Sequence, residues 1–139
     1  MLVRIFIALA IIISLFLLLK FNRAGQLRAA QRSAASIVTE NESQILYFSS
    51  AVCPQCLGQE KILNHILAGS EFQDIILKKY SVEEEKELAQ QWGVKTLPTT
   101  ILLSDSGVVQ QINNGLISTG IMLSQLRKLN VNNVDSVLL

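Results

Sequence analysis

The chain has 139 residues and a formal net charge of +1, and half of its residues are hydrophobic. This length holds one small domain and little more, and the near-neutral charge excludes the basic surface typical of nucleic-acid-binding proteins. The two cysteines stand three positions apart, which excludes a small secreted scaffold held together by several disulfides.

The N-terminal segment carries much of the apolar content. Residues 2–21 are apolar except for Arg4, Ser14 and Lys20. A helix of about 20 residues spans about 30 Å, the thickness of a bilayer core, and the basic side chains near its ends can reach the interfaces. No small-residue cleavage site follows directly. Residues 1–21 therefore predict a single transmembrane anchor in contact with the lipid bilayer, with a cleaved signal peptide as the alternative.

The segment after the anchor, residues 22–43, predicts a stalk that is either a weakly amphipathic helix or a flexible tether. Its start is basic and contains no acid before Glu40. The excess of Lys and Arg on this side of the anchor favours a domain on the cytoplasmic face by about two charges. An outward-facing domain is the alternative.

A Cys-x-x-Cys motif follows the first predicted strand, residues 45–48. It consists of Cys53, Pro54, Gln55 and Cys56 and opens a helix predicted over residues 54–68. Unpaired backbone N–H groups and the positive end of the helix dipole favour a thiolate at Cys53, and proline is well suited to the first helical position. A thiolate attacks disulfides, and one turn of helix brings the two sulfurs within bonding reach. The motif therefore predicts redox chemistry. The side chains predicted to face inward on this helix are Leu57, Ile62, Leu63, Ile66 and Leu67.

The remaining elements alternate between strands and helices. Strands are predicted over residues 72–77, 99–103 and 108–112, the last two joined by a turn at residues 105–107. Ser81 and Glu84 form a predicted capping box for a helix that runs to Trp92, a side chain assigned to the core. A last helix begins at Ser118 or Thr119, and residues 131–139 predict a tail that is loosely ordered or held by another chain. The inward side chains of that helix are predicted to be Met122, Leu123, Leu126 and Leu129. This order predicts an α/β domain with a mixed four-stranded sheet and helices on both faces.

A second motif, residues 94–99 with the sequence VKTLPT, stands some forty residues beyond the cysteines. Together with the Cys-x-x-Cys motif and the element order, it resembles the thioredoxin-like superfamily over residues 44–130. The resemblance implies a thioredoxin-like fold with a cis peptide bond before Pro98. It also implies that the backbone of Leu97 pairs with a substrate strand beside the disulfide. Gly107 and Gly115 fall where the family places turn glycines.

Four positions depart from the pattern of the family. Tyr47 stands where many thioredoxins carry a buried aspartate, six residues before the first cysteine, and its phenol is a poor base near neutral pH. Val52 replaces the usual tryptophan. Pro54 and Gln55 replace Gly-Pro, a pair closer to glutaredoxin-like motifs. Tyr47, Pro54 and Gln55 are predicted to support the site, and the alternative for Tyr47 is a strand residue whose hydroxyl is paired.

Three functions compete. The first is a membrane-tethered thiol–disulfide oxidoreductase with Cys53 as nucleophile, Cys56 as resolving thiol and Pro98 as a substrate contact. It needs no bound cofactor, only a protein disulfide or dithiol substrate and a redox donor. The second is a non-catalytic accessory subunit of a larger membrane protein complex. The third is a metal site on the two thiolates, but the chain offers only His65 as a further nitrogen ligand, more than two helical turns away.

Overall fold

The computed structural model describes residues 42–137, together with residues 7, 9, 11–14 and 16, and side chains as far as Leu129. Its main domain contains four strands, three α-helices and one 3₁₀ turn. In chain order these are β1 (Ser43–Ser49), α1 (Pro54–Leu67), the 3₁₀ turn (Ser70–Phe72), β2 (Ile75–Ser81), α2 (Lys86–Gln91), β3 (Thr99–Leu103), β4 (Val109–Asn114) and α3 (Thr119–Val137).

The four strands form one mixed sheet in the order β2-β1-β3-β4. Strand β1 is parallel to β2 and antiparallel to β3, and β4 is antiparallel to β3. The crossover helix α1 allows the parallel pair, and the tight turn after Leu103 allows the antiparallel one. The predicted four-stranded mixed sheet is therefore confirmed.

The core has two halves, one on each face of the sheet. Successive side chains of a strand point to opposite faces, so Ile45 and Tyr47 enter one half and Leu46 and Phe48 the other. Helices α1 and α3 cover the first half, and α2 with Trp92 covers the second. The assignment of Trp92 to the core is confirmed, as its side chain is only 1% exposed. The predicted inward residues of α3 are confirmed too. Met122, Leu126 and Leu129 are buried, and Leu123 packs against them.

The second strand and the helix after it differ from the prediction. Strand β2 begins at Ile75, since Phe72 is buried in the preceding 3₁₀ turn. The predicted capping box was wrong: Ser81 ends β2, and its backbone N–H donates to the Glu85 carboxylate at 2.8 Å. Helix α2 starts at Lys86, four residues after the start that a cap at Ser81 predicts. The extended ladder between β1 and β2 pairs Ser49 with Ser81 and so keeps these residues in the sheet.

Two further elements are longer than predicted. Strand β4 reaches Asn114, where its partner across the hairpin is Thr99. Helix α3 continues to Val137, so most of the predicted irregular tail is helical.

The predicted anchor lies mostly outside the described residues, and residues 22–41 of the stalk lie outside them entirely. Residues 7, 9, 11–14 and 16 are helical, and their side chains are exposed. Among the residues that the structure describes, no helix combines the length and the apolar content needed to cross a bilayer.

Candidate active site

A disulfide joins Cys53 to Cys56 at the start of α1, with 5.3 Å between the two Cα atoms. The two sulfurs differ in access. Cys53 is partly exposed, whereas Cys56 is only 2% exposed. An incoming thiol can therefore reach Cys53 far more readily than Cys56.

Cys53 is the N-cap residue of α1. Its backbone is extended, with φ −101° and ψ 106°, and its Sγ accepts a hydrogen bond from the N–H of Cys56 at 3.2 Å. Pro54 occupies the first helical position, and the first turn contains no acid. A thiolate at Cys53 would therefore sit at the positive end of the helix dipole, with a backbone donor already directed at it.

The loop before Cys53 is built by Ser50. Its carbonyl oxygen accepts from the N–H of Cys53 at 3.2 Å, and its Oγ accepts from the N–H of Val52 at 3.3 Å. The Ser50 hydroxyl in turn donates to the carboxylate of Glu83, which also accepts from Ser81 Oγ at 2.8 Å. These two hydrogen bonds, Ser50 first, lower the pKa of Glu83. The loop that presents Cys53 is thus tied to the residues that follow β2.

Tyr47 is hydrogen-bonded to the residue of the buried cysteine, Cys56. Its side chain is 1% exposed, and its hydroxyl donates to the carbonyl oxygen of Cys56 at 2.7 Å. Burial, with a smaller contribution from the charge of Glu60, raises the pKa of Tyr47 to about 12. Glu60 pairs with Lys79 at 2.7 Å. The phenol therefore stays protonated near neutral pH and acts as a fixed donor.

The Leu97–Pro98 peptide bond is cis, as the resemblance implies. Pro98 is buried and Leu97 is half-buried. The carbonyl oxygen of Pro98 accepts from the N–H of Gly115 at 2.7 Å, which ties this loop to the one after β4. Gly115 has φ +91°, a conformation that other residues rarely adopt.

The exposed side chains that flank the disulfide in sequence are uncharged, while the carboxylate of Glu83 is bound by Ser50 in the loop before Cys53. Val52 is 87% exposed, Leu57 59% and Leu116 48%, and Pro54 and Gln55 are exposed as well. No Asp, Glu, Lys or Arg occurs in residues 49–59, 96–104 or 112–126, the segments that carry the motif, the cis-proline and the exit from β4.

The inward face of α1 differs from the prediction at two neighbouring positions. Leu57, predicted to face inward, is mostly exposed, whereas Gln59 is completely buried. Gln59 Oε1 accepts from the N–H of Ile117 at 2.8 Å. A signal for Gln59 exists in the sequence, because Cys56, Gln59, Leu63 and Ile66 follow the three- and four-residue spacing of one helix face.

The metal hypothesis needs ligands beyond the two thiolates. His65 is exposed on α1. Among the described residues, no three His, Cys, Asp or Glu side chains come together as a cluster that could hold an ion.

The sheet order, the cysteine pair at a helix start and the cis-proline loop define a thioredoxin-like α/β protein. The comparison with protein families agrees with this class, since the model described as Thioredoxin matches residues 27–127. The chain belongs to the thioredoxin family.

Individual relatives are distant. Thioredoxin 2 of Chlorobaculum tepidum is 27% identical over 86 residues, which cover 62% of this chain and 78% of the relative. The solution structure of a thioredoxin-like protein from Clostridium perfringens is 27% identical with a TM-score of 0.57, covering 68% of this chain and 75% of that one. Thioredoxin from Trypanosoma brucei brucei has a TM-score of 0.59 at 23% identity, covering 68% and 80% of the two chains, and shares the fold.

Proposed function

We propose that this protein is a thiol–disulfide oxidoreductase that exchanges disulfides with protein substrates through Cys53 and Cys56. The observation that carries the proposal is the asymmetry of the pair. A partly exposed Cys53 caps α1 and is bonded to a buried Cys56. The partly exposed Cys53 is thereby suited to attack a substrate, and the buried Cys56 is suited to resolve the mixed disulfide.

The reaction consists of two exchanges. The Cys53 thiolate attacks one sulfur of a substrate disulfide, and the other substrate sulfur leaves as a thiolate and takes a proton. The Cys56 thiolate then attacks Cys53 Sγ, which forms the bond seen in the structure and releases the second substrate thiolate. The cysteine pair is oxidised and the substrate reduced. A dithiol donor then reduces the Cys53–Cys56 disulfide again. With a dithiol substrate the same steps run in reverse, so that the substrate is oxidised and the cysteine pair is reduced.

Substrate binding is assigned to Leu97 and Pro98. The resemblance to thioredoxins implies that the backbone of Leu97, in the loop with the cis peptide bond before Pro98, pairs with an extended segment carrying the substrate disulfide. The exposed, uncharged surroundings formed by Val52, Leu57 and Leu116 suit an apolar segment. Gln55, exposed within the motif, is placed to contact the same segment.

The proposal includes a membrane tether. The support comes from the apolar sequence of residues 2–21 and from the exposed apolar side chains of the helical positions described there, among them Ile11, Ile12 and Phe16. Such a segment would hold the domain close to the bilayer, and the basic residues that follow it favour the cytoplasmic side.

Substitution of each cysteine tests the redox proposal. Cys56→Ser should accumulate a mixed disulfide between Cys53 and a substrate, because the resolving thiol is missing, while Cys53→Ser should trap nothing. Both variants should lose reduction of insulin disulfides with dithiothreitol as donor. Non-reducing gels after acid quenching, with the double Cys→Ser variant as the control, measure the trapped species.

An inactive parent chain would contradict the proposal, as would equal trapping by both single variants. The accessory-subunit alternative predicts that neither substitution changes the assembly of a membrane complex and that no mixed disulfide forms.

A further inference from the structure

The side-chain amide of Gln59 is completely buried, yet its Nε2 has no acceptor among the described residues. A buried donor without a partner costs free energy, so it calls for a physical reason. Among the described residues the other such donor is Trp92 Nε1, which belongs to the core half covered by α2. Gln59 lies on α1, the helix that carries the cysteines.

The placement of Gln59 relates it to Cys56. The two residues are three positions apart on α1, where side chains are neighbours on one face. Helical side chains lean toward the N-terminus, which for Gln59 is the direction of the turn that contains Cys56. The N–H of Ile117 donates to Gln59 Oε1, which fixes the orientation of the amide. The hydrogens of Nε2 are left without an acceptor among the described residues.

The other polar groups near Cys56 are already engaged. The Tyr47 hydroxyl donates to the Cys56 carbonyl oxygen, and the backbone N–H of Cys56 donates to Cys53 Sγ. On the next turn of α1, Glu60 pairs with Lys79 of β2. Lys79 offsets part of the charge of Glu60, and the phenol of Tyr47 is neutral near neutral pH.

We propose that Gln59 Nε2 donates a hydrogen bond to the Cys56 thiolate when the Cys53–Cys56 disulfide is open. The sulfur of a disulfide is a weak acceptor and that of a thiolate a strong one, so the donor finds its partner only in the reduced or mixed-disulfide state. In the resolving step, which rests on the proposed function, the thiolate attacks Cys53 Sγ, the bond from Cys53 to the substrate breaks, and the hydrogen bond is given up.

Gln59→Met tests the proposal, because methionine has a similar length and no donor. In a Cys53→Ala background, the thiol pKa of Cys56 should rise by about one pH unit, as expected for loss of a hydrogen bond to a charged group. In the chain with both cysteines, the equilibrium with glutathione should shift about fivefold toward the disulfide. Thiolate absorbance against pH and quantified thiol alkylation measure the two quantities on the full chain in detergent.

Gln125→Met is the matched control. Gln125 is a half-buried amide on α3 that exchanges hydrogen bonds with Asn113 at 2.8 and 3.0 Å. The Gln125→Met substitution should lower the free energy of unfolding and leave the pKa of Cys56 and the glutathione equilibrium unchanged. If Gln59→Met fails to fold, Gln59→Leu serves in its place.

An unchanged Cys56 pKa together with an unchanged glutathione equilibrium in the Gln59 variant would overturn the inference, whatever happens to stability. The proposed function is judged separately by insulin reduction in the parent chain. A parent that leaves insulin intact, but whose Cys56 pKa responds to Gln59, would refute the function and keep the hydrogen bond.

Discussion

The hydroxyl of Tyr47 donates to the carbonyl oxygen of Cys56, so a neutral phenol borders the buried cysteine. Burial and the nearby charge of Glu60 both disfavour the tyrosinate. At this position the residue contributes structure, since it holds the turn of α1 that contains Cys56, and it does not exchange protons near neutral pH.

The ionisation of Tyr47 can be followed directly because the chain has only two tyrosines. The Tyr80→Phe variant keeps only Tyr47. The absorbance change of its ionisation should have its midpoint near pH 12 in the folded protein and near pH 10 in the protein unfolded by urea. The folded pKa is the higher one, so the stabilisation from protonated Tyr47 is complete below pH 10. It is lost as the pH rises toward 12. A folded midpoint near pH 10 would contradict the burial argument.

The variant Tyr47→Phe provides a second test of the argument that burial raises the pKa of Tyr47. It lacks the hydroxyl, so its free energy of unfolding should fall less steeply than that of the parent between pH 10 and pH 12. Its cost near neutral pH, from the lost hydrogen bond, is expected to be about 1–3 kcal/mol.

At the scale of elements, the loop from β4 to α3 connects the separate parts of the site. Gly115 donates to the cis-proline loop at Pro98, and Ile117 donates to Gln59 on α1. Ser118 directly precedes α3, and its carbonyl oxygen accepts from the N–H of Met122 at 3.1 Å. This short loop therefore links α1, which carries the cysteines, to the cis-proline loop.

Two glycines near this loop should respond to alanine with opposite signs. Gly115→Ala meets no steric contact but must adopt φ +91°, which should cost about 1 kcal/mol or more. Gly120 lies in α3 with open space around its Cα, so Gly120→Ala should stabilise by about 0.5 kcal/mol. Urea unfolding measures both variants. A Gly115→Ala chain as stable as the parent would show that the loop relaxes to another conformation.

At the scale of the whole molecule, the charge is nearly balanced and the segments that form the site carry none. Association with substrates should accordingly depend on apolar contact and on backbone pairing more than on electrostatic attraction. The proposed tether would confine the proposed exchange reaction to the surface of a membrane.

Deletion of residues 1–21 tests the tether. The parent chain should stay with membranes through an alkaline carbonate wash, because about 20 apolar residues make insertion effectively irreversible, and the shortened chain should be soluble. A membrane-impermeant maleimide should label the reduced cysteines only after the cells are permeabilised. A parent chain in the soluble fraction would refute the tether, and labelling of intact cells would reverse the proposed side.

Sequence patterns determined the parts of this protein that depend on near neighbours along the chain. Strand β1, the start of α1 at Pro54, the turn at Gly107 and the inward face of α3 follow from hydrophobic spacing and from turn chemistry, and the structure confirms them. The cis bond before Pro98 followed from a resemblance to a known motif.

The tertiary structure decided what depends on distant contacts. Gln59 is buried and Leu57 exposed because Ile117, 58 residues away, binds the amide, and because Leu116 packs over Gly58 beside them. Strand β2 continues to Ser81 because β1 pairs with it over its whole length, and that pairing overrides the local capping signal. Local preferences amount to fractions of a kcal/mol per residue, whereas a buried hydrogen bond or a strand ladder can exceed their sum, so the packed sheet sets these details.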